Sequence, residues 1–185
     1  MSVYDIKSVD VCSLDQKAFF LLDANILYWL FAGYVLSPTD KDYLKAYNFS
    51  NFVGSLLVNG NPLGTSIGNV QEVLNLIERI EYRLYKNSGG SLQRKKDFRK
   101  DPTQRSLVQK KIQAAYNAIC ETCTLFELSL DKLGLDQFIS DMPCHLYDPI
   151  DFFVAKDLVR NGYANYITSD PDFQCDSRLN IFTIL

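Results

Sequence analysis

The stretch "FFLLDANILYWLF", residues 19–31, sets an acid and an amide between two apolar runs. Phe19 to Leu22 lead straight into Asp23 and Asn25, and the chain turns apolar again through Ile26, Leu27, Trp29, Leu30 and Phe31. A carboxylate at such a place is costly to bury unless something pairs with it. A short buried strand that ends at Asp23, followed by a buried helix, fits the pattern. A membrane span is the competing reading, because Phe19 to Leu36 is 18 residues long and mostly apolar. Asp23 at its middle would cost about 2.5–3.5 kcal/mol, and Asn25 adds to that, so the strand and helix are preferred.

Working outward, further strands are expected over 63–67, 124–130, 163–168 and 181–185, after the first at 18–23. Helices are expected over 24–34, from Thr39-Asp40 to Gly60, and over 69–85, 106–120, 131–139 and 151–161, the last stopped by Gly162. The helix over 69–85 has one apolar face, made by Val70, Val73, Leu74, Ile77, Ile80 and Leu84. Pro102 is read as closing the basic stretch before it. Strands alternating with helices imply an α/β fold with a mostly parallel sheet. The 185 residues show no repeat and are read as a single domain, with a basic insertion at about 86–105.

The composition, 47% hydrophobic and 22% charged, is that of a soluble globular chain. Net charge is −3, but residues 86–111 carry nine Lys or Arg against Asp97 and Asp101, leaving the remainder strongly acidic. The first 17 residues are unlike a secretory leader, being dotted with Asp5, Lys7, Asp10, Asp15 and Lys17. The five cysteines, Cys12, Cys120, Cys123, Cys144 and Cys175, are therefore expected as reduced thiols in a cytoplasmic protein. Cys120-Glu-Thr-Cys123 has metal or redox spacing, but its only available partner is Cys144-His145, so buried thiols are preferred.

Four carboxylates fall at corresponding places. Asp23 ends the first strand, Glu72 lies in the first turn of the helix after the second, and Asp170 follows the fourth. Asp151 opens the helix that leads into that fourth strand. A crossover helix runs antiparallel to the strands, so all four converge on the sheet edge where open α/β sheets bind ligands. Glu81, nine residues beyond Glu72, would stand about 13.5 Å further off and is left out. Clustered carboxylates repel one another and would take up protons unless a cation intervenes. Mg²⁺ or Mn²⁺ suits such an oxygen-only site, and can activate water against a phosphodiester.

These pieces resemble the PIN domain family. "FFLLDANIL" looks like its opening strand ending in Asp-x-Asn, and "TSIGNVQEVLNLIER" like its segment from Ser66 to Glu72. "YDPIDFFVAKDLVRNGYANYITSDPDF" looks like its C-terminal block. The resemblance implies a three-layer α/β sandwich and a metal-dependent nuclease, an endoribonuclease such as the VapC-like toxins. It implies Asp23, Glu72, Asp151 and Asp170 as the catalytic and metal-binding acids, Asp172 as a fifth metal ligand, and Asn25 and Thr168 as supporting hydrogen-bond partners. The implied partners are RNA, an antitoxin protein and a second copy of the chain. Asp148 and Asp151 both stand where the third acid belongs; Asp151 is taken for its spacing to Gly162 and Thr168.

Blander readings stand beside these. Asp151 also suits a helix N-cap, Asp170 before Pro171 a turn, and Glu72 a solvated flank. Asp23 is the hardest to explain blandly, because it closes a buried strand and is followed by a buried helix, and four coincidences on one edge favour a site. The basic run alone reads as a solvated loop; beside a phosphodiester site, Arg94, Lys95, Lys96 and Arg99 become expected RNA-backbone contacts. Phe98 and Tyr85 are weaker candidates for stacking on bases, and Trp29 is read as core or dimer interface. Two other classes stay open: a PIN-like module that binds RNA or protein without cutting, and another acidic phosphotransfer site of Toprim or haloacid-dehalogenase kind. No GxGxxG or Gly-Lys-Ser/Thr loop points to a nucleotide cofactor.

Overall fold

The computed structural model describes residues 2–34, 40, 42–144 and 146–185. Thr39, an expected helix start, and His145 lie outside them, as does the side chain of Cys175. The strands are β1 (Ser2–Asp5), β2 (Phe20–Leu22), β3 (Leu63–Ser66), β4 (Thr124–Phe126), β5 (Asn165–Ile167) and β6 (Asn180–Thr183). They form one sheet in the order β1-β6-β5-β2-β3-β4, parallel at every pairing. From β2 the chain steps to β3 and β4 on one side, then returns to β5 and β6 on the other. That reversal makes the C-terminal ends of β2 and β5 the switch point of the sheet, where open α/β folds have their ligand crevice.

The helices are α1 (Ala24–Phe31), α2 (Tyr43–Asn59), α3 (Ile67–Asn87), α4 (Lys95–Lys100), α5 (Pro102–Thr122), α6 (Lys132–Asp141) and α7 (Pro149–Arg160). Side chains alternate across a strand, and the two faces of the sheet divide the core accordingly. Phe20 and Leu22 pack with Ile167 and Phe182 beneath α1, α2, α3 and α5. Leu21 packs with Tyr166 and Ile181 beneath Phe138 of α6 and Phe152, Ala155 and Leu158 of α7. The result is an α/β sandwich of three layers, PIN-like in form. Trp29 stacks on Phe49, with ring centroids 5.6 Å apart, at the margin of the first cluster. No helix among the described residues is long and apolar enough to cross a membrane.

Side chains fix where the helices begin. Ser66 Oγ accepts from Asn69 N–H at 3.0 Å to cap α3, and Asp148 Oδ1 accepts from Ile150 and Asp151 N–H to cap α7. Asp101 caps α5, whose first residue is Pro102, so that proline opens a helix and does not close the basic stretch. Gly162 takes φ +74°, which turns the chain from α7 into β5.

Two elements lie outside the expectations. The edge strand β1 pairs with β6, and Tyr4 stacks on Phe182. The basic insertion forms α4, a docked helix. Phe98 is 1% exposed and packs its ring against Tyr82 and Tyr85, so it is not available to stack on a base. Buried Glu78 of α3 accepts from Arg99 Nε at 2.7 Å, and ion pairs with Lys95 at 2.9 Å and Arg105 at 3.4 Å. Arg99 above all holds the Glu78 carboxyl far below the ordinary range, at about 2.

Leu22 has no exposed surface and lies where β2 meets the α1 layer. Leu22→Ala should lower unfolding free energy by about 2–5 kcal/mol through the cavity it leaves. Urea denaturation measures this, and a loss well under that range would place Leu22 outside the consolidated core.

Candidate active site: acids at the switch point of the sheet

Asp23 is the first residue past β2 and the N-cap of α1, and it is 5% exposed. Three donors from separate elements satisfy its carboxylate. Ala24 N–H donates to Oδ1 at 2.7 Å, Tyr166 O–H to Oδ1 at 3.1 Å, and Thr168 Oγ1 to Oδ2 at 2.6 Å. Burial nonetheless raises its pKa above the ordinary value, and the charge of Asp170 adds to that. Behind it lies a buried polar layer. Asn69 donates to Leu22 C=O at 3.1 Å and lies 3.5 Å from Tyr166 O–H, while Thr65 Oγ1 donates to the same carbonyl at 2.8 Å.

The other acids gather around Asp23 in the crevice. Asp170 follows β5; its N–H donates to Thr168 Oγ1 at 2.9 Å, so one threonine links two acids. Asp151 stands in the first turn of α7, and its carboxyl is pushed up to about 8. Burial is the main cause, followed by the charges of Asp148, Asp23, Asp170 and Glu72. Glu72 sits in the second turn of α3, one turn later than expected because the helix starts at Ile67. It reaches solvent, yet partial desolvation and the charges of Asp23, Asp148 and Asp170 raise its pKa, against the opposing charge of Arg79. Glu72, Asp23, Asp151 and Asp170 thus act on one another across one site. Asp148 caps α7, and its charge bears on both Glu72 and Asp151.

Other expected residues lie elsewhere. Asn25 is exposed on α1 and lines a hollow with Trp29, Arg79 and Arg83, away from the Asp23 carboxylate. Tyr166 bonds the Asp23 carboxylate, and Asn69 reaches Tyr166 behind it. Asp172 donates its N–H to Asp170 Oδ1 at 2.9 Å, but lines a separate pocket of about 240 Å³ with Tyr147, Asp176 and Arg178. Glu81 is buried, accepting from Tyr34 O–H at 2.5 Å and from Lys111 at 2.7 Å, well apart from the acids. Of the four expected backbone-binding cations, Lys95 and Arg99 engage Glu78, Arg94 engages Asp97 at 2.7 Å, and Lys96 is exposed. Cys123 is buried, which pushes its thiol up to about 12, while Cys120 is exposed.

The donor chemistry tests the expected metal. Asp23, Glu72, Asp151 and Asp170 all offer carboxylate oxygen; burial and then mutual repulsion raise the pKa values of Glu72 and Asp151, and a hard cation would relieve the repulsion. Among the described residues, no three His, Cys, Asp or Glu side chains form a group that could hold a metal ion. The donors there are of the hard oxygen type that divalent cations such as Mg²⁺ take, and among the described residues they do not form an all-protein cage.

The raised carboxyl of Asp151 sets a pH dependence. Between its ordinary 3.8 and about 8 the folded chain holds a proton that the unfolded chain has released. Stability of the metal-free protein should therefore fall as pH rises through that window. Asp151→Asn should flatten the fall. Melting temperatures in chelator across that range measure both, and a wild-type curve as flat as the variant's would remove Asp151 from the repelling set.

No protein-family model matches the chain, and no curated protein matches it. Among solved structures, one chain of VapBC2 from Rickettsia felis, crystallised bound to a DNA fragment from their promoter, is similar with a TM-score of 0.51 and 10% identity. The match covers 89% of this chain and 98% of that one, and at this identity it is a likeness of fold.

Proposed function

We propose that the protein is a Mg²⁺- or Mn²⁺-dependent endoribonuclease, with Asp23, Glu72, Asp151 and Asp170 as its acidic site. The observation that carries this is the set of carboxylates at the switch point, where burial and then neighbouring charge raise the pKa values of Asp23, Glu72 and Asp151. A protein keeps such a set at the ligand-binding edge of a parallel sheet at a cost, and cation binding offsets it. The bound cation would supply Lewis acidity and an activated water. The chain's own part is placement. Tyr166, Thr168 and Ala24 lock Asp23, and Thr168 ties Asp170 to it. Glu72 and Asp151 close the site from α3 and α7. The likeness of fold to a VapBC2 chain is in keeping with a toxin role; an antitoxin protein as partner and RNA as substrate are part of the proposal. A second copy of the chain and a cytoplasmic setting belong to the same proposal.

A module that binds RNA without cutting it is the second reading, favoured by the absence of a three-ligand group among the described residues. Asp23→Asn separates the two. It keeps the side-chain shape and removes one charge, so the fold should persist while Mg²⁺-dependent cleavage of single-stranded RNA falls below detection. Mn²⁺ should stabilise the wild type by about 2.7 kcal/mol at a hundred times its dissociation constant, seen as a raised melting temperature. Full cleavage by Asp23→Asn, or a melting temperature indifferent to Mn²⁺, would reject the acidic site.

A further inference from the structure

The outward side of α3 carries more than the acids use. Glu72, Asn75 and Arg79 recur at spacings of three and four, which places them on one face of the helix. Two hollows meet there. One, of about 380 Å³, is lined by Gly68, Gln71, Glu72, Asn75, Arg79 and Asp148. The other, of about 500 Å³, is lined by Asn75, Glu78, Arg99 and Arg105. Asn75 lines both, so the two adjoin along α3 as a groove with Glu72 and Asp148 at one end and the Arg99 and Arg105 guanidinium groups at the other.

The cations along this groove are placed for an anion. Arg79 is exposed, and its charge already acts on Glu72. A helical side chain leans toward the helix N-terminus, which for Arg79 is the direction of the acids. No ion pair among the described residues engages it. Arg99 and Arg105 are held by Glu78, yet their side chains stay 50% and 58% exposed. Lys95, Arg99 and Arg105 share that single carboxylate, so positive charge is left over at this end of the groove.

We propose that the α3 groove is the track of the substrate strand. Single-stranded RNA would lie along it with one phosphate on Arg79 beside the acids and others on Arg99 and Arg105. This rests on the nuclease reading and names the residues that guide its substrate. It moves the backbone contacts from Arg94 and Lys96, which do not line the groove, to Arg79 and Arg105, which do. Phosphate contacts of this kind fix register without reading sequence.

The test uses the full chain as Asp23→Asn in Mg²⁺, binding a short, unstructured, fluorescently labelled RNA over a range of salt. Arg79→Gln should weaken binding several-fold and lower the slope of log affinity against log salt by about 0.7, the share of one phosphate on a single strand. Adding Arg105→Gln should bring the loss of slope to about 1.4. Arg105 is the most weakly held cation on Glu78, at 3.4 Å, so α4 keeps its bonds through Arg99 and Lys95. Arg79→Lys should restore the slope, because it restores the charge. Lys110→Gln, exposed on α5 and outside the groove, should change neither quantity. If the double variant keeps affinity and slope while the wild type still cleaves RNA, the track is wrong and the acidic site stands. If the Asp23→Asn protein binds no RNA even at low salt, the track falls as well. Loss of the nuclease reading shows separately, as a wild type that does not cleave.

Discussion

A carboxylate that is buried and still fully bonded organises this molecule. Asp23 Oδ1 and Oδ2 take hydrogen bonds from the backbone of α1, from Tyr166 on β5 and from Thr168 beyond it. Each donor comes from a segment that must end or begin at the same level of the sheet. The pairing of β2 with β5, Leu22 opposite Ile167, brings those ends together. A slip of one residue in that register would turn Tyr166 to the other face of the sheet and leave the acid without a partner. The site and the sheet register are therefore one constraint, because a lone buried carboxylate costs more than the protein can offset.

The same physics gives three glutamates on α3 three fates. Glu72 is partly desolvated and faces other acids, and its pKa rises. Glu78 is more buried, yet it is held at about 2, because Arg99, Lys95 and Arg105 surround it. Glu81 is buried too, and binds Tyr34 and Lys111. Burial alone does not decide whether an acid is strained; the sign of its neighbours does. Glu78 and Glu81 are built into the scaffold by cations. Glu72 is left among like charges, which is the arrangement expected where an external cation binds.

Much of this was legible in the chain. The run from Phe19 to Asp23, the capping Ser66 and the block from Asp148 to Asp170 carry local signals, and the strands and helices that position the acids follow from them. What escaped depends on distant partners. β1 is four residues long with one clear partner, β6, far away in sequence, so no local pattern announces it. α4 reads as a charged loop until Phe98 finds Tyr82 and Tyr85 and its cations find Glu78. Asn69 and Tyr166 look like an ordinary polar helix residue and a strand aromatic. Only the sheet register shows that they stand behind Asp23. Asn25 misled for the opposite reason: close to Asp23 in sequence, it faces outward from the first turn of α1.

Net charge is a poor guide to what such a molecule binds. At −3 overall, with an acidic body, the chain would repel a polyanion if charge acted only as a sum. Screening limits each charge to about 8 Å at physiological salt, so the local pattern governs. Along α3, Glu72 and Arg79 are separated by about 10.5 Å of helix axis, roughly one such length. An anion lying between them would meet the guanidinium directly, with the proposed divalent cation neutralising the acids on its other side. In the proposed arrangement a cation would relieve the repulsion among the acids, and a phosphate could then approach them. Arg79 is a fixed positive charge at the margin of that arrangement, where it would draw the strand in without occupying the place proposed for the metal.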